Sequence, residues 1–205
     1  YFDTPTRRFY LETKQKAIRR FKLRVRYYSQ RPGRVLMLEV KNKDNGIVWK
    51  HRSRLPTTKW PHALDDWQTF DKKGSHIDDD TFLAKQALCQ AEPMLHVRYF
   101  REPFVSEIDP YGRITFDRRL RFCMANGSYR LGQDDREMSY YDDAVTSMST
   151  CDPIVLEIKT EVFLPSWASR LIRRFQLNQR GFSKYCYALD CQQHVPLPRR
   201  SVWFH

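Results

Sequence analysis

The chemistry-bearing residues of this sequence are cations spaced two apart. Phe21–Tyr28 reads FKLRVRYY, in which Lys22, Arg24 and Arg26 alternate with Phe21, Leu23, Val25 and Tyr27. That period, with β-branched and aromatic partners, predicts a strand whose side chains point alternately to two faces. One face is apolar. The other is a row of positive charges that repel one another unless an anion stands before them. The pattern recurs along the chain. Arg34–Lys43 puts Leu36, Leu38 and Val40 on one face and Met37, Glu39, Lys41 and Lys43 on the other. Asn45-Gly46, a strong hairpin signal, leads into Ile47–Leu55, where Lys50, Arg52 and Arg54 share a face. Met94–Val105 (MLHVRYFREPFV) is a further strand, interrupted by Pro103. After a turn at Asp109-Pro110-Tyr111-Gly112, Arg113–Phe122 sets Arg113, Thr115, Asp117 and Arg119 opposite Ile114, Phe116 and Leu120. Pro153–Val162 sets Glu157, Lys159 and Glu161 opposite Ile154, Leu156 and Ile158.

Such a set of side chains suits phosphate. Arginine grips two oxygens with a planar fork and lysine adds a compact point charge. The sequence has no GxxxxGK[ST] and no GxGxxG, so phosphate must be held by side chains rather than by a glycine loop. A triphosphate also calls for a metal, and magnesium and manganese take oxygen ligands. An acid facing the cations is therefore the metal candidate: Glu157 in VLEIKT first, Glu39 in LEVK second. Any one of these cations is equally well explained as a solvated charge, and Glu157 as an arginine's ion-pair partner. The repetition over five strands carries the functional interpretation.

The positioning elements follow from the same alternation. A closed or nearly closed barrel places apolar faces outward under helices and charged faces inward around a tunnel. Helices are expected over Thr6–Gln15, with Pro5 in the first turn, over Asp78–Gln90 with Phe82, Leu83, Ala87 and Leu88, and from Pro165 to about Leu177 with Trp167, Leu171, Ile172 and Phe175. A short helix or turn follows Phe182-Ser183-Lys184-Tyr185. Trp60, Trp67, Trp167 and Phe175 are expected in the core, and Gln133–Asp143 is a solvated acidic loop within a mainly irregular stretch from Asn126 to Thr150.

The chain of 205 residues is 41% hydrophobic and 14% aromatic, enough for one domain with a substantial core. The expected division is a tunnel domain over 1–190 and a tail over 191–205. Thirty-six Lys and Arg against 24 Asp and Glu give +12, which favours a polyanionic partner. Five cysteines without a CxxC and six histidines without HExxH argue against a zinc site or a disulfide framework and for a reducing compartment, the cytoplasm. No apolar run reaches the length of a membrane helix. The sequence opens at Tyr1, without a methionine and inside a strand, so a segment ahead of it is expected.

YFDT, KLRVRYY, LEVKNKDNGIVWKHRSRL, VRYFREPF, GRITFDRRL, VLEIKT and FSKY occur in the order found in the polyphosphate polymerase domain of the vacuolar transporter chaperone family, within the CYTH-like triphosphate tunnel metalloenzymes. The resemblance runs from Tyr1 to about Leu189. It implies an α+β fold: an eight-stranded antiparallel tunnel with helices outside that passes the terminal phosphate of ATP to a growing polyphosphate chain, with Mn2+ or Mg2+. ATP, polyphosphate and pyrophosphate are the implied partners, with no specific nucleic acid. By motif match, Arg24, Arg26, Glu157 and Lys184 resemble the catalytic set. Arg24, Arg26, Lys41, Lys50, Arg52, Tyr99, Arg101, Arg113, Lys159, Ser183 and Lys184 resemble phosphate-binding residues, and Glu157 and Glu39 the metal-facing acids. Family members carry an earlier strand ahead of YFD, so the tunnel is expected to lack its first strand. The phosphate-sensing domain and membrane helices of the eukaryotic complexes are absent too. That suggests a microbial stand-alone form, or one placed at a membrane by partner proteins not encoded in this chain. A triphosphatase with the same grip is the enzymatic alternative. A non-catalytic binder of polyphosphate or nucleic acid is the other, although such binders pair basic grooves with exposed stacking aromatics.

Overall fold

Asn45 and Gly46 take φ of 43° and 87°, the two positive values a two-residue type I′ hairpin requires. They join β3 (Val35–Asp44) to β4 (Ile47–Pro56), paired from Asp44↔Ile47 to Val35↔Pro56. The computed structural model describes residues 1–29, 31–65, 79–107, 112–140, 154–160 and 163–192. The chain divides into two compact units, one of Tyr1–His96 with Met124–Glu137, the other of Val97–Cys123 with Met138–His205.

In the first unit, β1 (Phe2–Asp3), β2 (Arg19–Arg26), β3, β4 and β5 (Glu92–Pro93) form an antiparallel sheet ordered β4-β3-β2-β1-β5. Leu23 faces Val40, and Leu36 faces Leu55, so the apolar halves of three strands meet on one side. Phe2, Phe9, Leu23, Leu36, Leu38, Val40, Leu55, Phe82 and Leu83 form the buried core there, with α1 (Arg8–Lys14) and α2 (Asp79–Cys89) supplying Phe9 and the Phe82-Leu83 pair. Trp60 packs against this core, its ring edge-on to Phe2 at 6.1 Å and its indole N–H donating to the Tyr129 carbonyl at 2.8 Å. Leu88 is 84% exposed rather than core, because six residues on from Phe82 a helix has turned its side chain to the far face.

Pro5 does not open α1; the helix begins three residues later. Asp3 organises its start. Its buried carboxylate accepts from the main-chain N–H groups of Thr4 and Phe9 at 2.8 Å and Tyr10 at 2.9 Å, satisfying donors a helix start leaves open.

In the second unit, β6 (Leu95–Val105, its first two residues in the first unit), β7 (Arg113–Met124), β8 (Ser139–Tyr140) and β9 (Val155–Lys159) form a four-stranded sheet with β7 central. Pro103 does not interrupt β6, since β6 lies at the sheet's edge, where a missing N–H is tolerated. The alternation along β7 breaks at Arg119, whose φ is 50°. Arg118 and Arg119 are both exposed between buried Asp117 and Leu120, the pattern of a one-residue bulge. Arg119 therefore does not continue the Thr115–Asp117 face, and Leu120 takes that side. α3 (Ser166–Arg174) and α4 (Lys184–Gln192) complete the unit. Phe175 is 64% exposed, not core; α3 stops at Arg174, so the apolar stripe ends before it.

The fold is α+β with antiparallel sheets and, among the described residues, four α-helices. The described strand pairings build two sheets and no closed barrel. Trp67, Asp78, the 109–111 part of the turn, 141–153, Glu161, Val162 and the tail from 193 lie outside the described residues.

Candidate functional site

The predicted site residues fall into two groups, one on the first sheet and one on the second sheet with the start of α4. On the first sheet the register brings like to like. Lys22 stands opposite Lys41, and Lys41 opposite Lys50. Two residues along each strand, Arg24 stands opposite Glu39, and Glu39 opposite Arg52. The face opposite the core is thus a lattice of cations with one acid inside it. Like charges directly opposite one another on a sheet are unfavourable, so this face calls for counter-charge.

Glu39 is that sheet's own counter-charge. It is 3% exposed. Arg24 donates through Nε to its Oε2, Arg26 Nη1 lies 3.7 Å and Arg52 Nε 3.2 Å from Oε1. Burial alone would raise its pKa, but the three guanidiniums outweigh that and hold it below the usual carboxylate range. Burial likewise disfavours the Arg24 charge, and Tyr1 and Glu39 more than reverse this; the Tyr1 hydroxyl lies 3.3 Å from Arg24 Nη1.

On the second sheet the residues converge on Asp117, which is 0% exposed. Arg101 donates to both its oxygens, Nε to Oδ1 at 2.6 Å and Nη2 to Oδ2 at 2.8 Å. Lys184 Nζ lies 2.5 Å from Oδ2. Arg101 and Lys184 both sit over Tyr99, at 5.4 Å and 4.7 Å from the ring centroid. Glu157, opposite Thr115 in register, meets Lys159 at 2.9 Å and Arg101 Nη2 at 3.5 Å. Thr115 Oγ1 donates to Glu157 Oε2 at 3.4 Å. Arg113 stands opposite Lys159. Desolvation pushes the Asp117 and Glu157 carboxyls up, but Arg101 with Lys184, and Lys159 with Arg101 and Lys184, bring them below their ordinary values. Ser183 Oγ accepts from the Cys186 N–H at 3.3 Å, a helix cap that sets Lys184 at the first position of α4.

Among the described residues no three His, Cys, Asp or Glu side chains are grouped to hold a metal. A magnesium-type ion needs no such cage when it arrives with phosphate, since one or two carboxylates and the phosphate oxygens suffice. Glu157, its side chain 39% exposed, fits that donor set. Glu39, enclosed by three arginines, is poorly disposed to it.

Sequence reasoning singled out the cations and Glu157 but assigned no role to Asp117 or Tyr1. The available signal for Asp117 was its position: an acid on the face shared by Arg113 and Thr115 in an otherwise basic strand.

A family model described as VTC domain matches residues 1–192. No curated protein matches the chain significantly. Among the described residues no helix is long and apolar enough to cross a membrane.

Proposed function

The chain belongs to the VTC domain family, and from that premise we propose that it is a metal-dependent polyphosphate polymerase, transferring the γ-phosphate of ATP to a growing polyphosphate chain. The observation that carries this is the pair of cation arrays, each ordered by a buried acid: Arg24, Arg26 and Arg52 about Glu39, and Arg101 and Lys184 about Asp117. Neither array offers an evident nucleophile. In phosphoryl transfer positioning and electrostatics supply most of the catalysis, so none is needed.

In this proposal Arg24, Arg26, Arg52, Lys41 and Lys50 bind phosphates along the first sheet. Arg101, Arg113, Lys159 and Lys184 do so on the second, with Tyr99 backing Arg101 and Lys184, and Ser183 fixing Lys184. A terminal polyphosphate oxygen attacks the γ-phosphorus in line. The bond from the γ-phosphorus to the β–γ bridging oxygen breaks, ADP departs with that oxygen, and the chain is one phosphate longer. Mn2+ or Mg2+, held by Glu157 with phosphate oxygens, would neutralise charge on the triphosphate. The eight-stranded tunnel implied by the family resemblance belongs to the same proposal, as do pyrophosphate as a further ligand and a cytoplasmic site of action. Cation rows on antiparallel sheets support a tunnel, since they are what its walls must carry.

The proposal is tested by incubating the protein and its Glu157→Gln variant with ATP and Mn2+ and separating the products on a gel. Long chains from the wild type, lost in the variant while it still unfolds in one cooperative transition, are expected. Release of orthophosphate alone would replace the polymerase with a triphosphatase. Metal-independent RNA binding without ATP turnover would replace both with a binding module.

A further inference from the structure

Asp117 takes no part in the bond changes of the transfer, yet two cations assigned to phosphate converge on it. On the strength of the polymerase proposal, we propose that Asp117 is the positioning residue of the second sheet. It holds the Lys184 ammonium and the Arg101 guanidinium in the orientation in which their remaining donors meet phosphate.

The geometry leaves donors over. Arg101 gives Nε and Nη2 to the two Asp117 oxygens, and its Nη1 has no protein partner among the described residues. Lys184 gives one ammonium contact to Asp117 Oδ2, and the Tyr99 ring faces the same nitrogen at 4.7 Å. Exposure rises in order away from the acid: the side chains of Asp117, Lys184 and Arg101 are 0%, 13% and 30% exposed, and that of Glu157 is 39%. The acid is the most buried member of the cluster, and the cations that hold it are more open than it is.

The helix supplies a separate reason. Lys184 is the first residue of α4, where the positive end of the helix dipole disfavours a cation. Asp117 offsets this locally. Burying a carboxylate to pair with cations is a poor route to stability, whereas fixing two flexible side chains is what pre-organised phosphate binding requires.

The test is a double-mutant cycle on ATP turnover with Mn2+, using Asp117→Asn and Lys184→Ala. In the wild-type background Asp117→Asn is expected to lower kcat/KM by about 10- to 100-fold, the scale of a catalytic group misplaced by about 1 Å. In the Lys184→Ala background the same substitution is expected to cost at least fivefold less. Equal losses in the two backgrounds would overturn the proposal. A second measurement needs no variant of Asp117 to fold and no turnover. An ammonium held by a buried carboxylate exchanges its protons slowly, so Lys184 is expected to give a resolved 15N–1H ammonium correlation at neutral pH, identified by its loss in Lys184→Arg. Absence of that signal would overturn the positioning role. A wild type that makes no polymer would instead remove the polymerase proposal and leave the ammonium measurement to decide this one.

Discussion

Glu39, Asp117 and Glu157 are carboxylates in cationic strands, and their surroundings separate them. Glu39 and Asp117 are buried and enclosed by arginine or lysine, whereas Glu157 is partly open. All three have folded-state pKa values below their ordinary ones. Because the folded state prefers their ionised form, they stabilise the fold above the unfolded-state values near pH 4. That contribution fades as pH falls from there through the lowered folded values. The share of the thermal midpoint that these carboxylates supply is therefore expected to be level from pH 7 to about pH 5 and to drop below about pH 4. Asp117→Asn should show a smaller acid drop; an identical drop would remove Asp117 from the account. Glu157 could be singled out in the sequence because it alternates with apolar residues beside Lys159. The partners of Asp117 could not, because Lys184 lies 67 residues away in the chain and only folding brings the two together.

At the scale of elements, the strand alternation and the Asn45-Gly46 hairpin were legible, because both depend on local backbone preference. What local preference does not contain was not. The bulge at Arg119 reverses the face of Leu120. The start of α1 depends on Asp3, five residues ahead of it, and not on Pro5. Register, which aligns Lys22, Lys41 and Lys50, is a property of pairs of strands rather than of any one. Asp3→Ala is expected to destabilise the first unit by about 2 kcal/mol by stripping a buried cap. Leu23→Ala, at a fully buried position on β2, is expected to cost about 2–5 kcal/mol. Both are read from denaturant midpoints, and a loss under 0.5 kcal/mol on the order used for surface sites would contradict the packing described.

For the molecule as a whole, the +12 charge of the sequence is not spread evenly over function. Part of it stands in the two arrays, and each has a buried acid among its cations. A ligand that binds only the folded form raises its stability by mass action, so tripolyphosphate is expected to raise the thermal midpoint. Added salt should shrink that rise, since partly exposed cations are screened. An unchanged midpoint would show that the cations do not act together on phosphate. The most direct test of the central claim follows the γ-phosphorus of ATP by 31P NMR in the presence of Mg2+. Its signal is expected to decline as ADP and mid-chain polyphosphate signals grow together. Growth of orthophosphate in place of mid-chain phosphate, or no change at all, would contradict it.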